Sequence, residues 1–354
     1  MKRWNKILIS LTFLHSLSAC SAPNKEQTGI TEVDYNNPKT VCIGRLEVTV
    51  PKETEVTYSS FNFNGSDFKI DNSIKTYEDY QKIIQEKINY LKKEPHEIEG
   101  VLFKNEMPGP VGNAGRSMSH IIAFREHKFA ESLYQVYGYL YLGPGQLLVL
   151  KSGASNHLLN EAIVDMQHTL KSVSKRKPKE TRAGICWSGL LILDDMSEYR
   201  YFDTSVVFQF PSYPGMRSYI INRGRYDSEK PLISVVKHNK ANLPLEVKTL
   251  TKDTEIYIGN KEINGLLGEE YSINTALRKP FQRGFELMDW EYLGELENPH
   301  HPYIKFHLSS ENEMDNEGYG DSLVNQNRVV HLWDFILGSI KISSNNEVEQ
   351  DGNK

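Results

Sequence analysis

The chain has 354 residues, of which 39% are hydrophobic and 25% are charged, a composition typical of a soluble globular protein. Its formal net charge is −5 at pH 7 and it has no basic stripe, which argues against binding to nucleic acid or to anionic lipid. The length exceeds what one hydrophobic core usually organises, so the sequence predicts about two domains.

The first 20 residues have the pattern of a bacterial lipoprotein signal. Three basic residues precede an apolar run at 7–14 that is too short to span a bilayer. The run is followed by Leu-Ser-Ala-Cys, which matches the motif where the signal is cleaved and the cysteine acylated. We therefore predict that the signal is cleaved after residue 19 and that Cys20 is acylated, so that the protein incorporates labelled palmitate. An ordinary signal peptide followed by a chance cysteine is the alternative.

The location predicted from this motif is the periplasm of a Gram-negative bacterium. Ser21 follows the acylated cysteine, and a residue other than Asp at this position favours the outer membrane. Cleavage would change the net charge from −5 to −8, because it removes three basic residues and no acidic one. Residues 20–39 are polar and are predicted to form a flexible tether, and residues 343–354 a disordered tail.

Landmarks recur in the same order along the two halves of the remaining chain. The paired landmarks are a first strand at 41–51 and a second opening from Cys186, the sequences IEGVL at 98–102 and INGLL at 263–267, hairpins at 134–151 and 286–308, and helices at 158–170 and 329–340. This order predicts a duplication, with one domain at 40–175 and another at 183–342. Two unrelated domains are the alternative.

Other elements distinguish the two halves. Apolar residues at helical spacing predict an amphipathic helix over 77–91 in the first half, and a hairpin is predicted over 206–221 in the second. Each domain is therefore expected to be an antiparallel β-sheet with helices packed on one face, an α+β fold.

Cys42 and Cys186 remain once Cys20 is acylated. In an oxidising compartment they could form a disulfide, which would close a long loop, or each could be a small buried residue in its own domain. The sequence leaves these alternatives open. No Cys or His lies at ligand spacing beside either one, so no metal site is expected.

No catalytic machinery is evident. The sequence Gly-Arg-Ser-Met-Ser at 115–119 lacks the second glycine of a nucleophile elbow, and no His-Glu-x-x-His motif is present. Three polar stretches are better explained as loops than as ligand sites. They are NPHHPY at 298–303, which could suggest a metal site, the acidic run at 309–322, which could suggest a cation site, and the Gly-rich stretch at 104–117, which could suggest a phosphate loop. Nothing in the sequence places the acid pairs Asp194-Asp195 and Glu269-Glu270 together as a general acid and base. We expect no catalytic residue, no cofactor and no small-molecule substrate.

The combination of these landmarks resembles the two-domain immunity proteins cognate to type VI secretion lipase and phospholipase effectors, class four of the Tle-cognate family. The resemblance rests on the lipoprotein motif, TVCIGRLEVTVP (40–51), GICWSGLLILDD (184–195), MDWEYLGE (288–295) and LWDFILGSIKI (332–342). It implies a non-catalytic inhibitor that holds its effector between two domains and occludes the active-site entrance. Each domain expressed alone is then expected to fold but to inhibit poorly.

The resemblance carries no contact residues, so the effector-binding residues are left unknown. Loops with exposed aromatic and charged residues are the candidates, at 58–71, 104–119, 212–217 and 309–321. Two other functions remain as alternatives. One is a structural or assembly lipoprotein of the envelope, and the other is an enzyme whose site would use His300, His301 or Asp289.

Overall fold

The fold is described from a computed structural model. It describes residues 33–109, 118–177, 180, 182–213, 215–277, 284–310 and 325–343. The predicted signal, residues 20–32 of the predicted tether with Cys20, and residues 344–354 of the predicted tail lie outside these residues. Within them, no helix is long and apolar enough to cross a membrane.

The chain forms twenty strands and five helices within the described residues. In order they are β1 (Lys39–Ile43), β2 (Leu46–Val50), β3 (Glu55–Phe63), β4 (Ser66–Asp71), α1 (Tyr77–Lys93), β5 (Pro95–His96), β6 (Gly100–Val101), β7 (Phe103–Pro108), β8 (Ser119–Arg125), β9 (Leu133–Tyr141), β10 (Leu147–Ser155), α2 (Leu159–Ser172), β11 (Val173–Lys175), β12 (Gly184–Trp187), β13 (Leu190–Leu193), β14 (Phe202–Gln209), β15 (Met216–Arg223), α3 (Leu232–Ala241), α4 (Leu245–Leu250), β16 (Thr251–Ile263), β17 (Leu266–Leu277), β18 (Gly284–Tyr292), β19 (Tyr303–Ser310), α5 (Gln326–Leu337) and β20 (Lys341–Ile342).

A twelve-stranded antiparallel sheet runs through the whole molecule, in the order β16-β17-β18-β19-β15-β14-β3-β4-β10-β9-β8-β7. From the central pair β3–β14 outward, both halves follow the same path. A hairpin comes first, then a helical segment, then four strands that fold back until the last one pairs with the hairpin. The α+β class and the repeated plan predicted from the sequence are thus confirmed. The paired sequences at 98–102 and 263–267 are not equivalent, however, because the first precedes β7 and the second joins β16 to β17.

The predicted strand over 41–51 is instead a short hairpin. Gly44 has φ +58°, a backbone conformation that L-residues rarely adopt, and the chain reverses there between β1 and β2. The second opening reverses in the same way at Ser188 and Gly189, which have φ values of 48° and 77°. We call residues 39–50 the first hairpin and residues 184–193 the second hairpin.

The two hairpins are exchanged between the halves of the sheet. Side chains of the first hairpin, such as Leu46 and Val48, are buried against Phe208, Trp333 and other residues of the second half. Those of the second hairpin are buried in the core of the first half. The spatial units are therefore a first lobe, continuous from 55 to 193, and a second lobe made of 33–50 and 202–343.

The exchange is completed by the last strand of each half. β20, which follows α5, pairs with β2 of the first hairpin, and β11, which follows α2, pairs with β13 of the second hairpin. Two three-stranded sheets result, β1-β2-β20 and β11-β13-β12. The sequence predicts domains at 40–175 and 183–342, and the structure places residues 39–50 and 184–193 in the opposite lobes.

Helices lie on both faces of the large sheet, which differs from the expected arrangement. α2 packs on Ile121 and Ala123 of β8, whereas α1 packs on the adjacent residues Ile122 and Phe124. Neighbouring residues of a strand point to opposite faces, so α1 and α2 are on opposite sides. In the second lobe α5 and α3 are separated in the same way.

α1 shows how the sequence dictates one of these helices. Thr76 and Asp79 form a capping box, in which each side chain accepts a hydrogen bond from the backbone N–H of the other. Apolar residues recur at helical spacing on one face, and they are the residues buried on the sheet: Tyr80, Ile84, Ile88 and Leu91. The predicted helix over 77–91 is confirmed.

The two exchanged hairpins meet at the centre of the molecule. Cys42 and Cys186 form a disulfide there, with 5.6 Å between their Cα atoms. Gly44 and Cys186 also exchange two backbone hydrogen bonds, at 2.7 and 2.8 Å. Beside them, Arg45 of the first hairpin forms an ion pair with Asp194, which follows the second hairpin, and both side chains are 0% exposed.

Candidate interaction surface

An uncovered stretch of the large sheet lies between α1 and α3. It consists of the outward side chains of β4, β3, β14, β15 and β19, on the side that carries these two helices. No described helix packs on this side of the five strands, where the side chains of β3 and β4 are mostly exposed and those of β14 and β15 mostly half-exposed. At about 4.8 Å per strand the surface is roughly 20 Å wide. We call it the open face.

The open face carries a row of aligned side chains. Cross-strand pairing places Asp289 beside His307, His307 beside Tyr219, Tyr219 beside Val207, and Val207 beside Thr57. The rings of Tyr219 and His307 stack with centroids 4.7 Å apart. An aromatic and polar row of this kind, on a rigid sheet, suits contact with another protein.

Three residues of this region have the order of a hydrolytic triad. Asp289 Oδ1 is 3.0 Å from His307 Nδ1, and His307 Nε2 is 3.2 Å from Ser309 Oγ. Ser309 lies in a strand that is paired on both sides, opposite Arg217 and Leu287, rather than at a strand-to-helix turn. A nucleophile elbow, by contrast, places its serine at such a turn. These contacts hold the imidazole of His307 in place on the sheet.

Lys305 on the open face lies beside two acidic residues of β18, Asp289 and Glu291, and these neighbours affect its charge. Burial tends to lower the pKa of Lys305, but the carboxylate of Asp289, 3.5 Å from Nζ, raises that pKa above its usual value. Burial raises the pKa of Glu291, and the positive charge of Lys305 partly offsets this effect. Lys305 therefore presents a fixed positive charge beside the aromatic row at neutral pH.

A second cluster lies at the end of the open face next to α3. The guanidinium of Arg223 is 4.3 Å from the ring centroids of both Tyr226 and Tyr303 and forms an ion pair with Glu229. Tyr226 remains 45% exposed. Stacked Arg and Tyr side chains are enriched at the centres of protein interfaces.

The candidate binding loops have mixed outcomes. Residues 58–71 are not a loop but the hairpin β3–β4, and they supply exposed side chains such as Asp67 and Lys69 to the open face. In the candidate loop 212–217, residues 212, 213 and 215 lie in the turn before β15, residues 216 and 217 begin that strand, and residue 214 lies outside the described residues. Segments 104–119 and 309–321 begin as strands, and their remaining parts, 110–117 and 311–321, lie outside the described residues.

The acid pairs do not converge. Asp194 is buried against Arg45, whereas Asp195 is exposed and accepts hydrogen bonds from Ser197. Glu269 and Glu270 point to opposite faces of the sheet.

Asp289, His300 and His301 do not meet either. His300 and His301 lie in the turn between β18 and β19, and Asp289 pairs with His307 instead. Within the described residues, no three His, Cys, Asp or Glu side chains are placed to hold a metal ion.

Sequence reasoning missed His307 and named Ser309 only as the start of the candidate loop 309–321, although a signal was present. In β19, Lys305, His307 and Ser309 alternate with apolar residues, which is the pattern of a strand with one polar face. The partner of that polar face on β18 became evident only from the strand register.

Family comparisons cover almost the whole described chain. Residues 39–182 match the model of the Tle cognate immunity protein 4 N-terminal domain, and residues 178–345 match the model of its C-terminal domain. The chain belongs to the Tle cognate immunity protein 4 family. The resemblance identified from the sequence is thereby confirmed.

Solved structures share the fold of this family member. The apo immunity protein TplEi of the type VI secretion system of Pseudomonas aeruginosa has a TM-score of 0.74 and 18% identity, over 88% of this chain and 98% of that one. The Tle4-Tli4 complex contains a chain with a TM-score of 0.73 and 18% identity, over 86% and 97%. TplEi bound to an "L" peptide has a TM-score of 0.69 and 17% identity, over 88% and 99%. No curated protein sequence matches the chain.

Proposed function

We propose that this protein is a periplasmic immunity lipoprotein that binds a cognate type VI secretion lipase effector and inhibits it without catalysis. The family match carries the proposal, and the similarity to a chain of the solved Tle4-Tli4 complex supports it. Inhibition would occur because the two lobes hold the effector between them and cover its active-site entrance.

The open face is the surface that we assign to effector binding. It is flanked by α1 on the first lobe and by α3 on the second, so a partner seated on it contacts both lobes. Tyr219, Arg223 and Lys305 on this face already contact neighbouring side chains in the free protein. Such preorganisation reduces the entropy cost of association and favours tight binding.

Val207→Arg tests this assignment. Val207 is half-exposed at the centre of the open face, so a long charged side chain there would separate the two surfaces. We expect the dissociation constant for the purified effector, measured by titration calorimetry, to rise about 100-fold or more.

Val164→Arg is the matched control for this substitution. Val164 is 45% exposed on α2, which packs on the opposite face of the sheet. The control should bind as the unmodified protein does, and both variants should keep the original unfolding temperature within a few degrees. If the Val207→Arg protein binds the effector as tightly as the unsubstituted protein does, the effector binds elsewhere.

The lipid anchor is a separate part of the proposal. Cys20→Ala should abolish labelling with palmitate and association with the outer membrane, because three acyl chains, at about 0.8 kcal/mol per buried CH₂, would supply the membrane affinity. Effector binding by the purified protein should be unchanged, since Cys20 precedes the described fold by more than ten residues. Recovery of the variant protein in the outer-membrane fraction after cell fractionation would contradict acylation at Cys20.

A further inference from the structure

The first hairpin packs on the second lobe, although residue 51 leads directly into the first lobe. Ile43, Leu46, Val48 and Val50 are all fully buried in the core beneath α5. β2 pairs with β20, and the backbone N–H of Ser343 donates to the carbonyl oxygen of Arg45 at 2.7 Å. The start of the described chain thus completes the lobe that the end of the chain builds.

The turn of this hairpin is fitted to the second lobe. The backbone N–H of Arg45 donates to Asn222 Oδ1 at 2.8 Å, and Asn222 in turn donates to the carbonyl oxygen of Tyr303 at 3.1 Å. A Cβ atom on Gly44 would overlap the side chains of Asn222 and Phe202. Gly44 is therefore required for close approach as well as for its positive φ.

The same hairpin is held to the first lobe by the disulfide. Cys42 is bonded to Cys186 in the second hairpin, whose other side chains are buried in the first lobe. Residues 51–54 connect the hairpin to the first lobe, whereas residues 33–38, which precede it, pack on the second lobe. A terminal element attached in this way can detach locally without global unfolding.

We propose that residues 39–50 act as a strap that closes the second lobe and that the Cys42–Cys186 disulfide locks the strap in place. When the strap is lifted, the apolar face of α5 loses its cover, so the second lobe opens while the first lobe stays folded. The disulfide restricts this opening because it fixes one strand of the strap to the second hairpin. This inference concerns the fold and does not depend on the proposed function.

Hydrogen exchange on the full-length oxidised protein tests the strap. In Gly44→Ala, amides of α5 should exchange at least tenfold faster than in the unmodified protein, and amides of α1 in the first lobe less than threefold faster. Gly189→Ala is the matched control, because Gly189 has φ +77° in the turn of the second hairpin and no atom lies within 4 Å of its added Cβ. It should leave α5 unchanged.

The double variant Cys42→Ser/Cys186→Ser tests the lock and leaves every packed side chain other than the two cysteines in place. It should also accelerate exchange in α5 by tenfold or more with little change in α1, and it decides the question if Gly44→Ala fails to fold. Unchanged exchange in α5 in the double variant would overturn the lock. Equal acceleration in α1 and α5, in either variant, would overturn the strap.

Discussion

Residues 55–193, expressed alone, are expected to fold, whereas residues 40–175 are expected to remain unfolded. The shorter fragment lacks the second hairpin, whose Ile185, Trp187, Leu190 and Ile192 are buried in the core of the first lobe. Removing these four side chains forgoes about 6–12 kcal/mol of burial energy, at roughly 1.5–3 kcal/mol each. That loss is comparable to the whole stability of a typical domain, about 5–15 kcal/mol.

Circular dichroism and urea unfolding of the two fragments check this prediction. A cooperative transition is expected for 55–193 alone. The position of the second hairpin in the first lobe thus changes the expectation, drawn from the sequence, that a fragment spanning 40–175 folds independently. A cooperative transition in 40–175 with the same midpoint as in 55–193 would mean that the second hairpin does not stabilise the first lobe.

Asp194→Asn is expected to lower the free energy of unfolding of the intact protein by about 3–5 kcal/mol, because it leaves the buried guanidinium of Arg45 without a counter-charge. Burial already lowers the pKa of Arg45, and the charge of Asp194 opposes that effect. In thermal unfolding the loss should appear as a decrease in Tm of about 5–8 °C.

Asp195→Asn is the control for this substitution. Asp195 is the next residue along the chain, but it is exposed and its carboxylate accepts hydrogen bonds only from Ser197 within the described residues. Its replacement should change the free energy of unfolding by less than about 1 kcal/mol. Equal effects of the two substitutions would show that the Arg45–Asp194 pair does not hold the hairpins together.

Elements governed by local sequence were predictable. The spacing of apolar residues from Tyr80 to Leu91 defines the buried face of α1, and alternation in 286–308 defines β18 and β19. The recurrence of landmarks likewise indicated a repeated plan, which the order of strands in the two halves of the sheet confirms.

The exchange of hairpins was not predictable from such patterns. Alternating apolar residues in β2 indicate that one face of the strand is buried, but they do not identify the element that covers it. Leu46 and Val48 would satisfy the same pattern on either lobe. The two cysteines alone did not establish that the hairpins meet. A disulfide between equivalent positions of two domains forms only if both positions lie near the junction of the domains.

The open face was also only partly predictable. The polar face of β19 is evident from the alternation of Lys305, His307 and Ser309. The row that joins His307 to Asp289 and Tyr219 depends on pairing between strands far apart in sequence, which no local rule supplies. The region at 58–71 was selected for its exposed residues, and the structure explains their exposure by a hairpin at the centre of the large sheet.

The most direct test of the proposed function is whether this protein inhibits a cognate lipase effector. Fatty-acid release from phospholipid vesicles should be measured as purified protein without the lipid anchor is added to a fixed amount of effector. We predict that the rate falls linearly and reaches background near one equivalent, as expected for a 1:1 complex with nanomolar affinity. An undiminished rate at a tenfold excess of folded protein would contradict the assignment of this protein as the inhibitor of that effector.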